Sequence, residues 1–223
     1  MDEGMALMLV EGIRDTLLMT VVSTFFAYVI GLPLGIVLVV TSKNGLKPNA
    51  PVYKTLDFIV NILRSVPFLI LLITVIPITK FIVGKSYGSA ATIVPLTIAA
   101  APFVARLVEQ SLAEVDKGVI EAAQSMGAST LTIVTKVLLA ESRTSLIVGS
   151  TIATATILGY SAMAGVVGGG GLGDIAVRYG YYRYQTDVMF ITVILLVALV
   201  QLLQYIGMNI SRRFDKRNKG GSL

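Results

Sequence analysis

Cysteine and histidine are both absent from the 223 residues. Without cysteine there is no disulfide framework and no thiol chemistry, and without histidine the commonest metal ligand and general base is missing. Charge is also scarce: 14% of residues are charged, against roughly one quarter in a soluble domain. Ser and Tyr are available, but no Ser-Lys pair falls in the apolar stretches, so an intramembrane enzyme lacks a nucleophile with its base. Acidic residues are nearly missing from the same stretches, which removes the polar ring of an ion channel. A phosphate-cradling Lys motif is lacking as well. The sequence therefore predicts no enzyme, no metal site and no cofactor bound by this chain.

What remains is a membrane protein: 55% of residues are hydrophobic. Uncharged runs extend from Thr16 to Val40, Ser65 to Thr79, Ser86 to Ala105, Thr144 to Gly173 and Val188 to Ser211. A helical span needs about 20 mostly apolar residues, and four of these runs suffice alone. The second becomes a full span when extended back through Arg64 to about Thr55. The expectation is an all-α integral membrane protein of five transmembrane helices, with residues 1–223 forming one domain. The acidic start, Met1-Asp2-Glu3-Gly4, lacks a basic n-region, so the first apolar run reads as a retained helix.

Five spans place the termini on opposite sides, and the Lys/Arg distribution chooses the orientation. With the C-terminus inside, the cytoplasmic segments hold twelve basic residues: Lys43, Lys47, Lys54, Arg106, Lys117, Lys136, Arg143, Arg212, Arg213, Lys216, Arg217 and Lys219. The external segments hold five, Arg14, Lys80, Lys85, Arg178 and Arg183. The N-terminus is then outside, the C-terminus ends in a basic cytoplasmic tail at 212–223, and the longest cytoplasmic connection covers about 110–143. The same distribution explains the +5 net charge without a nucleic-acid partner.

The spans differ in character. Val188 to Met208 is dominated by Val, Leu and Ile and suits contact with lipid. Gly149, Ala153, Ala155 and Gly159 give the fourth span small residues at four-residue spacing, which predicts a central helix. Pro95 and Pro102 predict burial of the third span, and Gly31-Leu32-Pro33-Leu34-Gly35 predicts a kink in the first. Gly168, Gly170 and Gly173 fit G-x-G-x-x-G but end a membrane helix rather than follow a strand, so a turn is the reading. The aromatic run Arg178 to Asp187 reads as an interfacial belt. Arg64 reads as structural, a bridge from it to Asp57 seven residues earlier would need water or a residue from another helix, and Arg106 and Glu109 are placed to pair.

One segment breaks the pattern. Val119 to Met126 can form a short helix, Gly127 a left-handed stop, and Ser129 or Thr130 the cap of a second helix through Leu138. Ala122, Ala123, Met126, Ala128, Leu131 and Ile133 make it too apolar for an idle loop, yet it is too short to span lipid. A cytoplasmic helix of this kind can dock in another subunit's groove and transmit its movement. The alternative is an amphipathic helix lying on the membrane or on its own bundle.

The run EAAQSMG at Glu121 to Gly127 resembles the E-A-A-x-x-x-G loop of bacterial ABC importer permeases, and VIEAAQSMGASTLTIVTKVLL their coupling segment. LRSVPFLILL, IVPLTIAAAPFVARLVE and ILGYSAMAGVVGGGGLGDIAVRYGYYRY resemble the methionine importer permeases over most of the chain. The resemblance implies a permease of the bacterial cytoplasmic membrane that imports methionine, D-methionine and close analogues included. Its partners would be a second copy of itself, two cytoplasmic ATPases carrying ATP and Mg, an external methionine-binding protein and membrane lipid. Another amino acid or a small peptide is the competing cargo. Glu121, Ala122, Ala123, Met126, Gly127 and Ala128 would couple to the ATPase. Tyr160, Ser161 and Met163, in the small-residue fourth span, are candidates for the path or its gate. The family's loop commonly ends in Leu-Pro; here Leu139-Ala140 predicts a second helix continuing towards Ser142.

Overall fold

The computed structural model describes residues 3–214. Met1, Asp2 and residues 215–223, with Lys216, Arg217 and Lys219 of the expected basic tail, lie outside that range. Every regular element among the described residues is helical, as lipid demands of a chain whose backbone groups must pair internally.

The first helix, α1 (Glu3–Thr41), is a single element of 39 residues that passes through Pro33 without interruption. At 1.5 Å per residue it is about 58 Å long, so it reaches well beyond a hydrocarbon core of about 30 Å. Three of its threonine hydroxyls are satisfied locally: Thr16, Thr20 and Thr24 donate to the carbonyls of Gly12, Thr16 and Thr20. This return to the preceding turn removes the penalty of an unpaired hydroxyl in an apolar setting.

The second span departs from the expected single helix. It is broken into α2 (Ala50–Ser65), α3 (Phe68–Thr74) and α4 (Ile76–Val83), with α2 and α3 meeting at 101°. The cause lies in the sequence. Pro67 disfavours helical backbone at the residue before it, and Val66 is extended at φ −76°, ψ 124°. Arg64 therefore lies exposed near the end of α2, not inside a straight membrane helix.

The chain then crosses as α5 (Ser89–Ala113), forms α6 (Lys117–Ser125) and α7 (130–141), and returns as α8 (Arg143–Ala164). A 3₁₀ turn and a glycine-rich corner lead into the short α9 (Gly171–Ile175). A π-helical stretch, Ala176–Tyr181, follows, and α10 (Thr186–Phe214) makes the last crossing. Among the described residues four helices are long and apolar enough to span, and the α2–α3 pair reaches the same length and apolarity only when its two bent halves are taken together. The start of α1 lies beside the glycine corner, where Thr16 Oγ1 accepts from the Leu172 N–H at 2.9 Å. The end of α10 lies beside the start of α8, where Thr144 Oγ1 donates to the Phe214 carbonyl at 3.3 Å.

The core centres on α5. In its most apolar stretch 61% of residues are buried, against 17% for α10, so α5 is central and α10 peripheral. The most extensive helix contact is α1 on α5, and it is close: a Cβ at Gly31 would stand 2.7 Å from the Ala101 carbonyl oxygen, and one at Gly35 2.6 Å from that of Ala105. The glycine pair read as a kink signal is thus a packing seam. The close approach expected of α8 at Gly149 and Gly159 is not made within the chain. A Cβ at Gly149 would find only ordinary contacts, and one at Gly159 would meet nothing.

Candidate functional site

The segment between α5 and α8 is built from local signals. Asp116 caps α6, its Oδ1 accepting from the Gly118 N–H at 2.7 Å. The helix ends where Gly127 turns left-handed at φ +77°. There the Ala128 N–H donates to the Ala123 carbonyl at 3.1 Å and the Gly127 N–H to that of Gln124 at 2.9 Å. These paired bonds satisfy the last free carbonyls of the helix and fix a sharp corner. Ser129 then caps α7, its hydroxyl accepting from the Thr132 N–H at 3.2 Å. Such a cap contributes about 1 kcal/mol.

Helix α7 contains a π-helical stretch, Ile133–Leu138, and continues through Ala140 to Glu141 as the missing proline predicts. Only Ser142 separates it from α8. The N–H and hydroxyl of Ser142 both donate to the Leu138 carbonyl, at 3.0 and 2.6 Å. The corner is thus joined to α8 by a nearly continuous helical connection.

The corner has two faces. Ala123, Ile133, Val134 and Leu138 are buried in the same cluster as Val108 and Leu112 of α5. Glu121, Ala122, Gln124 and Gly127 face outward, with Met126 81% and Leu131 72% exposed. Of the six expected coupling residues, Ala123 is the anchor to the bundle and Ala128 is half-buried. The other four are exposed, and Leu131 extends that surface.

The three pathway candidates sit at different depths on α8. The Tyr160 ring is half-buried and stacks on Phe68 at the start of α3, with centroids 4.6 Å apart and planes within 4°. Ser161 is buried and its hydroxyl donates to the Leu158 carbonyl at 2.7 Å. Met163 is 49% exposed. Sequence reasoning missed Phe68. Its signal was Pro67, which turns the chain so that the next residue faces α8.

The glycine corner is closely packed. Gly168, Gly170 and Gly171 have φ of +76°, +82° and +73°. The Gly168 carbonyl accepts from the Gly88 N–H at 2.9 Å, and that of Gly169 from Thr92 Oγ1 at 3.0 Å. Nothing in this geometry opens a nucleotide cradle. In the aromatic run, Arg178 pairs with Asp174 at 2.8 Å, and Arg183 lies 4.5 Å from the centre of the Tyr179 ring. Among the described residues no group of three Asp, Glu, His or Cys could hold a metal ion.

Comparison with known proteins adds a family. Residues 31–220 match the profile described as binding-protein-dependent transport system inner membrane component. A probable D-methionine transport system permease protein of Vibrio cholerae serotype O1 is 51% identical over 203 residues, covering 91% of this chain and 90% of that protein. The D-methionine transport system permease protein of Escherichia coli K12 is 52% identical over 165 residues, 74% of this chain and 76% of that one. Among solved structures, an inward-facing conformation of the MetNI methionine ABC transporter superposes with a TM-score of 0.95 at 50% identity, covering 97% of this chain and 100% of that one. An amino acid ABC transporter crystallised with histidines shares the fold, with a TM-score of 0.71 at 20% identity over 95% of this chain and 94% of that one.

Proposed function

The chain belongs to the family of binding-protein-dependent transport system inner membrane components, and from that membership we propose that it is the permease subunit of an ATP-driven methionine importer. The observation that carries the reading is the outward face of the corner between α6 and α7. It presents Glu121, Ala122, Met126 and Gly127 on a segment whose opposite face is fixed to α5. A partner ATPase would seat this corner, bind ATP and Mg, and drive a change in which side of the permease is open. The chain itself is a transport subunit and not an enzyme.

Two copies are expected to form the pathway between them. Each presents Ile152, Met163 and Val166 exposed on or just beyond α8, and five crossings alone form a meagre wall. Two ATPases would then serve two corners, and an external methionine-binding protein would deliver cargo at the glycine end. Tyr160, Ser161 and Met163 are the proposed path or gate segment, with Met163 the side chain most available to an apolar cargo. The basic residues support an orientation with the corner and C-terminus in the cytoplasm and the N-terminus outside.

The test is uptake into proteoliposomes containing this chain, its ATPase and the binding protein, with ATP supplied and a panel of L- and D-amino acids offered. Methionine of either hand, taken up only with ATP and the binding protein, is the expected result. Preferential uptake of another amino acid or a peptide would overturn the cargo, and conductance without ATP would overturn the mechanism.

A further inference from the structure

Helix α2 is weakly held by apolar contact: of its 16 residues only Val60 is buried. Its inner stripe is Tyr53, Leu56, Asp57 and Val60, at helical spacing. Two of these four meet α5 through polar atoms. The Arg106 guanidinium donates to Asp57 at 2.6 Å, to Asn61 at 3.0 Å and to Glu109 at 2.5 Å. Tyr53 Oη donates to Glu109 at 3.3 Å, and Asn61 Nδ2 donates to Asp57 at 3.2 Å. The Arg106 and Glu109 side chains are 17% and 13% exposed, so this network is partly withdrawn from water.

The network is a clasp rather than a cargo site. Both terminal nitrogens of Arg106 already serve protein acceptors, and Asp57 and Glu109 each accept from two donors. A passing amino acid would have to break these bonds to find a partner. Its position in the chain supplies a different role. Arg106 lies about two turns before the end of α5, which leads directly into α6 and the docking corner. On the other side, α2 leads through the bend at Val66 and Pro67 to Phe68, whose ring lies against Tyr160. The seam between α1 and α5 brings backbone into close contact, whereas α2 meets α5 through this network and one small apolar cluster, Val60 against Ala105 and Leu38 with Tyr53 and Leu56 packed on it.

We infer that Arg106 is a positioning residue for transport: it makes α2 follow α5, so that displacement of the docking corner reaches the Phe68–Tyr160 stack. This rests on the importer reading above. Phosphate, metal and substrate play no part in it.

The test uses the complete transporter in proteoliposomes, comparing the parent with Arg106→Ala and with the exchanged pair Arg106→Glu plus Asp57→Arg. Expected for Arg106→Ala are normal assembly with the ATPase, continued ATP hydrolysis and about tenfold less methionine imported per ATP. The exchanged pair should regain most of that ratio, because it restores an ion pair across the same gap. Hydrogen–deuterium exchange on the same samples should rise in the amides of α2 and α3 in Arg106→Ala while α6 and α7 stay unchanged. A normal ratio of methionine to ATP in Arg106→Ala, a loss explained by failed assembly, or an exchanged pair no better than the single variant would each overturn the proposal. If the parent itself imports no methionine, the importer reading fails instead. The exchange measurement then decides the clasp alone, and unchanged amides in α2 and α3 would overturn it.

Discussion

Gly127 shows how a glycine can be required where there is room for a side chain. A Cβ added there meets no atom within 4 Å, so the demand for glycine is conformational, set by φ +77°. A β-branched residue in that conformation costs roughly 1–2 kcal/mol. Gly127→Val should leave membrane insertion intact while weakening ATPase association and abolishing ATP-driven uptake. Gly127→Asn, which tolerates the left-handed region, should retain much of both. Pull-down of the ATPase and uptake measured on the same membranes distinguish these outcomes, and normal uptake by the Val variant would remove the corner from the mechanism. Tyr160 and Met163 present a second residue-scale case. Alanine at either should lower uptake, or uptake per ATP, more than it lowers recovery of the assembled complex. At Tyr160 the change also unstacks Phe68. Uptake at the parent's level in both variants would reduce them to helix packing.

At the scale of elements, the sequence was most legible where the signal is local. The glycine stop and the cap at Ser129 lie within a few residues of what they control and are found where the pattern predicts them, whereas α6 starts at Lys117, two residues before the expected Val119, behind a cap at Asp116 that the pattern does not single out. The spans were legible as lengths of uncharged chain, since lipid leaves a long apolar segment little choice but helix. Direction and contact were less so. Hydropathy carries no record of a bend, which hid the break at Pro67, and small residues mark only a capacity for close approach. Which glycines meet a neighbour depends on which faces the fold brings together. Hence Gly31 and Gly35 form the seam, while Gly149 and Gly159 remain uncrowded within the chain. The seam makes a direct prediction. Gly35→Val would press on the Ala105 carbonyl and Val108, forcing α1 and α5 apart at a cost of about 1–3 kcal/mol. The purified permease should lose thermal stability, whereas Gly159→Ala should not change it. Equal stability of the Gly35→Val variant and the parent would show that α1 can move off α5 freely.

At the scale of the whole molecule, the surfaces left open define the assembly. Exposed apolar residues along α1 and α10, such as Phe25, Phe26, Ile194 and Val197, suit lipid. The exposed face of α8 and the corner at Gly127 instead lie at opposite ends of a continuous connection through Ser142. On the proposal that two copies form the pathway between them, the chain should copurify as a homodimer with two ATPase subunits, and a monomer that transports alone would contradict it. The absence of cysteine permits a sharper trial. Ala123 is buried and Ala128 half-buried, which makes them poor reporters of an outside partner, whereas the long Met126 side chain is well exposed. A cysteine replacing Met126 should crosslink to a cysteine in the ATPase's docking groove, and Gly127→Val should suppress that crosslink by misaiming the corner. The same cysteine should react with a membrane-impermeant thiol reagent in inside-out vesicles and stay protected in right-side-out ones. Reaction from the outer side would invert the orientation deduced from the basic residues. The corner would then face the wrong compartment for an ATPase, and the coupling mechanism would fall with it.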